Sequence, residues 1–313
     1  MTDLREKKIL VTGAHGFLGK HLVKNLLEKR KVPKENLSTP SAEELDLRKR
    51  ENCERAVYGM DLVIDLAARV GGIGSNKEHP GEFFYDNAII GIQMMEESRK
   101  AGVQKFVALG TICAYPRLAP IPFKEEDLWL GYPEESHAPY ALAKKMLLVE
   151  AQAYRAQYGF NAIYLLPLNM YGPCDNFNPN SSHVIAALIR KVYGAKKDGK
   201  DYIEVWGTGK PTRGFLYVED GVEGILLAAE KYDKGEPVNL GSSLEISIKD
   251  LAELICRLMD FKGEIRWNRD MPDGQPRRCL DVLKAEKEFG FRAETDFTEG
   301  LKKTINWYLN NPV

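Results

Sequence analysis

Tyr140 and Lys144 stand four residues apart in Tyr140-Ala141-Leu142-Ala143-Lys144. On a helix that spacing puts both side chains on one face. A lysine ammonium there lowers the pKa of a phenol, which then gives or takes a proton near neutral pH. Tyr-x-x-x-Lys is common on helices and means little alone. Here Pro139 precedes it, and Thr111 ends an apolar run that begins at Lys105. The Thr111 hydroxyl can hydrogen-bond a substrate carbonyl. Cys113 follows two residues later. His183 lies in Asn178-Pro179-Asn180-Ser181-Ser182-His183-Val184-Ile185, a polar loop that enters a helix. A thiolate and an imidazole can move protons beside a ketone. Taken singly, Cys113 reads more readily as a small buried hydrophobe and His183 as a structural hydrogen-bonding residue.

A second constellation is Gly13-Ala14-His15-Gly16-Phe17-Leu18-Gly19. It follows the apolar run Lys8-Ile9-Leu10-Val11-Thr12 and opens a helical pattern from Phe17 to Leu27. Glycines there permit a tight turn and close approach to a pyrophosphate, and the helix N-terminus supplies N–H donors. The bare spacing is weak. Its place between a strand and a helix gives it weight.

These residues need a scaffold that brings strand ends together. Asp61–Ala68, Lys105–Gly110, Asn161–Leu166 and Pro237–Leu240 read as further strands, with helical segments between them, among them Asn87–Ala101. Alternating β and α with continuously apolar strands predicts an α/β fold, a doubly wound parallel (Rossmann) sheet. Beyond about Tyr171 the pattern loosens into turn-rich pieces and short helices, including Ile248–Met259 and Phe297–Leu309. The expected division is a dinucleotide-binding domain over 1–170 plus about 217–242. A smaller, discontinuous α/β substrate domain takes about 171–216 plus 243–313.

Composition narrows the classes. With 44 Lys+Arg against 45 Asp+Glu in 313 residues, nothing suggests a nucleic-acid footprint. No stretch approaches the roughly 20 apolar residues of a membrane span, and the charged start reads as no signal peptide. Five cysteines without CxxC spacing argue against a zinc site or a disulfide framework. No metal is expected, and a reducing cytosol fits.

The motifs also stand in a telling order. Val70-Gly71-Gly72-Ile73, Cys113-Ala114-Tyr115-Pro116, Pro139–Lys144 and Asn169-Met170-Tyr171-Gly172-Pro173 come first. Asp175-Asn176-Phe177, Ser182–Ile185, Trp206-Gly207-Thr208-Gly209 and Pro272-Asp273-Gly274 follow. With the glycine loop, the chain resembles the extended short-chain dehydrogenase/reductases of the NAD-dependent epimerase/dehydratase family. Within it the likeness is to the GDP-4-keto-6-deoxy-mannose 3,5-epimerase/4-reductases, and it spans Gly13 to Asp281.

The resemblance implies roles. Tyr140 protonates the C4 oxygen, supported by Lys144, with Thr111 where the family usually has serine. Cys113 and His183 are the base and acid of epimerisation. Gly13, His15, Gly16, Phe17, Leu18 and Gly19 cradle the cofactor. Asp46 lies against its adenine, and Leu66, Ala67 and Ala68 pass under the adenine ribose. Leu109, Gly110, Pro167, Leu168, Asn169 and Met170 line its nicotinamide end, which Tyr140, Lys144 and His183 also reach. Lys191, Trp206, Arg213 and Asp273 hold the GDP-sugar substrate. The family generally uses NADPH, but Leu37–Glu44 has no Arg or Lys for a 2′-phosphate. His15 also replaces an arginine seen in some members. The cofactor is NAD or NADP, with a lean to NAD. NAD retained through the cycle would suit a redox-neutral sugar epimerase, the alternative reading. A non-catalytic dinucleotide sensor would be expected to lose Tyr140 or Lys144. Relatives often form homodimers through two long helices, here Asn87–Ala101 and Ala141–Gln157.

Overall fold

The computed structural model describes residues 2–271 and 273–312. Pro272 of the Pro272-Asp273-Gly274 motif lies outside them. The apolar runs form strands β1 (Ile9–Thr12), β2 (Leu37–Ser38), β3 (Leu62–Asp65), β4 (Lys105–Leu109) and β5 (Ala162–Pro167). With Val238–Leu240 they make one six-stranded sheet. Its spatial order is Val238–Leu240, β5, β4, β3, β1, β2, and every pairing is parallel. All residues of β1, β3 and β4 are buried, which is why these runs carry no polar alternation.

From β1 the chain goes to β2 on one side and then to β3 on the other. This reversal opens a crevice at the C-terminal ends of β1 and β3, where such sheets bind ligands. The first six α-helices in chain order are α1 (Phe17–Glu28), α2 (Arg50–Val57), α3 (Ile73–Glu78), α4 (Pro80–Lys100), α5 (Ala138–Tyr158) and α6 (Val184–Lys197). None of the described helices is long and apolar enough to cross a membrane.

Two boundaries differ from expectation. The strand expected over Asp61–Ala68 ends at Asp65. Thr12 Oγ1 donates to Asp65 Oδ1 at 2.6 Å and accepts from the Leu66 and Ala67 amides at 3.0 Å. A side chain therefore takes the ladder's donors and turns the chain. The helix expected from Asn87 starts at Pro80. Proline suits a first turn, where its missing N–H is not needed, but Pro80-Gly81-Glu82 carries no apolar periodicity.

Two groups of buried apolar side chains fill the molecule. The first surrounds the six-stranded sheet. Leu280, Ala285, Phe289 and Phe291, from the stretch expected in the second lobe, pack into it. The second group joins α6, Ile203 and Val205, the helix Ile248–Leu258 and the helix Phe297–Asn310. Small sheets border it. Tyr202–Trp206 pairs in parallel with Glu264–Asn268. Thr212–Arg213 lies between Ile246–Ser247 and Arg277–Arg278.

Candidate active site

The glycine loop occupies the crevice. Gly13 has φ +63°, a conformation side chains disfavour, and a Cβ there would stand 3.0 Å from the Leu66 carbonyl. Gly19 lies in α1, where a Cβ would come 2.2 Å from the Gly13 carbonyl oxygen. Gly16 caps α1 without a side chain, so the first-turn N–H groups of Phe17 and Leu18 have no side-chain partner. A cradle closed to any Cβ, at a helix N-terminus, fits the pyrophosphate of a dinucleotide.

A cavity of about 560 Å³ continues from the loop, lined by His15, Leu45, Asp46, Ala67 and Ala68. Leu66 and Ala67 are held by Thr12. Asp46 is engaged by Arg48, whose Nε donates to it at 2.9 Å. A neighbouring hollow is lined by Ser38, Thr39, Pro40, Glu44, Leu45 and Arg55. The stretch Leu37–Glu44 has no cation, yet α2 brings Arg55 beside it. The lean to NAD rests on that stretch and on His15, and Arg55 weakens the first of these. Glu44 shares the hollow and accepts from the Ser41 amide at 2.7 Å. His15 Nε2 sits 3.0 Å from the Thr39 carbonyl oxygen.

Past β4 the chain turns at Thr111, whose Oγ1 accepts from the Cys113 amide at 3.2 Å. Tyr140 and Lys144 are both buried on α5, one turn apart. The phenol meets the Thr111 side chain. Its pKa departs from expectation: burial pushes it up, the nearby Cys113 adds to this, and the Thr111 hydrogen bond opposes. The Lys144 effect expected from spacing is not among the causes. Burial lowers the lysine's own pKa, and Asp65 opposes that fall. Burial thus favours the protonated phenol. Asp65 is wholly buried, its Oδ2 has no hydrogen-bond partner among the described residues, and its pKa is raised by burial.

His183 is the residue before α6. By surface area it is open to solvent. Dehydration by the surrounding protein, with His137 nearby, lowers its pKa. Cys113 lies near Tyr140 and Arg213 and 3.6 Å from Arg278 Nη1. His137 is close to His183 and to Arg278, the residue beside Cys113.

The four residues expected at the GDP-sugar group into pairs. Lys191 Nζ donates to the Glu204 carbonyl at 2.7 Å and lies 5.8 Å from the centre of the Trp206 ring. Arg213 Nη2 reaches the Asp273 carbonyl at 3.4 Å. The Arg213 pKa falls to about 10 through burial and the adjacent Arg278. The Pro167–Met170 stretch follows on from β5: the Leu168 amide donates to the Leu240 carbonyl, and Met170 pairs with Leu216. Sequence reasoning missed Arg55, Asp65, His137, Gln275 and Arg278. No spacing rule marks them, although Gln275 and Arg278 follow directly on the Asp273-Gly274 motif.

Residues 9–241 match the model of the NAD dependent epimerase/dehydratase family. A probable GDP-L-fucose synthase 1 of Oryza sativa subsp. japonica is 37% identical, over 98% of this chain and 93% of that protein. A GDP-L-fucose synthetase from Naegleria fowleri, solved bound to NADP, has a TM-score of 0.87 and 29% identity, covering 99% of this chain and 96% of its own. A GDP-6-OMe-4-keto-L-xylo-heptose reductase from C. jejuni has a TM-score of 0.91 and 26% identity, covering 99% of each chain.

Proposed function

The chain belongs to the NAD dependent epimerase/dehydratase family, and we propose that it converts GDP-4-keto-6-deoxy-D-mannose to GDP-L-fucose by epimerisation at C3 and C5 and reduction at C4. The observation that carries this reading is one corner of the site. A buried, protonated Tyr140 meets the Thr111 hydroxyl, and Cys113 stands close by. Reduction and epimerisation both act through the C4 carbonyl, so one corner serves both.

A C4 ketone acidifies the protons on C3 and C5. Cys113 takes a proton from one face of the sugar and His183 returns one to the other. Thr111 holds the C4 oxygen by hydrogen bond, and Tyr140 delivers the proton that this oxygen needs on reduction. Lys144 holds the nicotinamide ribose. When bound, the reduced nicotinamide supplies the hydride for C4. The glycine loop takes its pyrophosphate, and Arg55 with Ser38 and Thr39 faces the adenosine end, alongside Glu44. These opposed charges suit acceptance of either NADPH or NADH. Lys191 and Arg213 serve as cations for the GDP pyrophosphate, beside Trp206 and Asp273.

A net reductase needs a protonated phenol, and burial favours that form. The relatives reported above are named as synthases and reductases, which gives no support to the redox-neutral alternative. The second partner on this reading is another copy of the chain. It would meet α4 and α5, where Tyr85, Met146 and Val149 are exposed. Scattered free cysteines suit a reducing cytosol.

The test incubates the purified protein with GDP-4-keto-6-deoxy-D-mannose and NADPH in deuterated buffer, with the sugar product followed by NMR. GDP-L-fucose carrying deuterium at C3 and C5 is expected. Cys113→Ser should suppress exchange at both carbons, since a serine hydroxyl is a far weaker base than a thiolate. It should still reduce an already epimerised keto-sugar. Exchange at the wild-type rate in Cys113→Ser returns Cys113 to the buried-hydrophobe reading.

A further inference from the structure

The groups facing Cys113 come from several elements. The Thr111 hydroxyl accepts from its amide, and Tyr140 approaches from α5. Arg278 and Arg213 come from two paired strands, in direct register with each other. Arg278 is buried, and its Nη1 lies 3.6 Å from Cys113 Sγ, within hydrogen-bonding reach of sulfur. Its Nε donates to Gln275 Oε1 at 2.9 Å. Gln275, also buried, donates from Nε2 to the Arg117 carbonyl at 3.0 Å. The guanidinium is therefore fixed at one end by an amide and aimed at a thiol with the other.

Charge makes the arrangement informative. Two guanidiniums side by side repel, and burial makes that costly unless an anion is near. Among the described residues neither Arg278 nor Arg213 forms an ion pair with a carboxylate. The local carboxylate, Asp273, is occupied by Thr208, which donates its amide at 2.6 Å and its hydroxyl at 2.8 Å. His137 faces Arg278 and adds no negative charge itself; the carboxylate beside it, Glu134, is engaged by His137 Nδ1 at 3.1 Å and by Ser136. Arg213 has the pyrophosphate as its counter-ion on the reading above. Arg278 is left with sulfur.

We propose that Arg278, oriented by Gln275, is a positioning residue that keeps Cys113 in its thiolate form, ready to remove a proton from the sugar. The use of that thiolate rests on the epimerase reading. The thiolate itself does not. A guanidinium keeps its charge at every relevant pH, and an adjacent cation is what makes a thiol reactive in neutral solution.

The experiment measures alkylation of Cys113 by iodoacetamide from pH 5 to pH 9.5. It uses the full chain without substrate, and the Cys113 peptide is quantified by mass spectrometry. Cys174, also part-exposed, is the internal control. Arg278→Gln should move the Cys113 midpoint up by about one pH unit or more, the scale of losing a paired charge. Its rate near pH 7 should fall about tenfold, while Cys174 stays unchanged. Arg278→Lys, which keeps the charge, should restore at least half of that shift. Gln275→Met, which frees the guanidinium, should give a smaller upward shift and serves if Arg278→Gln does not fold. An unmoved midpoint in Arg278→Gln or Gln275→Met, or equal shifts at Cys113 and Cys174, overturns the proposal. So does a lysine variant no different from glutamine. Deuterium exchange into the sugar reports separately on Cys113 as base, so the two readings fail independently.

Discussion

The same substitution, glycine to alanine, should have opposite effects at two helical positions. Within a helix alanine is favoured over glycine by about 0.5–1 kcal/mol, because it has less backbone freedom to lose. At Gly194, in α6, an added Cβ meets nothing within 4 Å. Gly194→Ala should therefore keep the whole gain and melt slightly higher than wild type. At Gly19 the Cβ would stand 2.2 Å from the Gly13 carbonyl oxygen, 2.6 Å from Ala14 Cα and 2.7 Å from Ala14 C. All three are backbone atoms of the glycine loop, so no side chain can swing aside. Relief means moving α1 and the loop apart by about 1 Å, and overpacking of this kind costs about 1–3 kcal/mol. The clash outweighs the propensity gain, and its relief displaces the groups that meet the pyrophosphate. Gly19→Ala should melt below wild type and lose at least tenfold in NADPH affinity, about 1.4 kcal/mol. Thermal denaturation followed by circular dichroism and titration by NADPH fluorescence read the two effects. A Gly19→Ala protein that melts with Gly194→Ala and binds NADPH like wild type would refute the close-packed cradle.

Tyr140→Phe should cut turnover by about 10²-fold or more with cofactor affinity retained. Near-normal turnover would remove the phenol from the mechanism. Discrimination between NADPH and NADH should stay under about 100-fold, or 2.7 kcal/mol, because Arg55 and Glu44 line the same hollow. Arg55→Ala should weaken NADPH binding selectively, and equal losses for both cofactors in a fluorescence titration would separate Arg55 from the 2′-phosphate.

The sheet was readable because its strands are buried on both faces, so β1, β3 and β4 had to be continuous apolar runs. Even Lys105 fits once the neighbouring helix is seen. Its ammonium donates to the Ala228 and Ala229 carbonyls at 3.1 and 2.7 Å, at the C-terminal end of the helix Val218–Lys231. No local pattern announces such a partner. Tyr140, Lys144 and Thr111 were visible because their relation is short-range, a helical turn or a strand end. Arg278 was not, because its meaning comes from a thiol 165 residues away. The phenol's pKa was misjudged for a related reason. Spacing gives the lysine's charge but not the depth of burial, and burial decided the direction.

Leu280, Ala285, Phe289 and Phe291 pack into the core around the first five strands. The sixth strand is Val238–Leu240. The half of the molecule that starts at the N-terminus therefore cannot finish assembling as it leaves the ribosome. β1 to β5 are synthesised early, yet the far edge of their sheet stays unpaired until residue 240 emerges, and part of their apolar surface stays uncovered until about residue 291. Domains completed by N-terminal sequence fold as units during synthesis. This chain must hold a half-built sheet in solution while the residues between β5 and Phe291 are still being made, so its nascent form is where a chaperone would find exposed apolar surface.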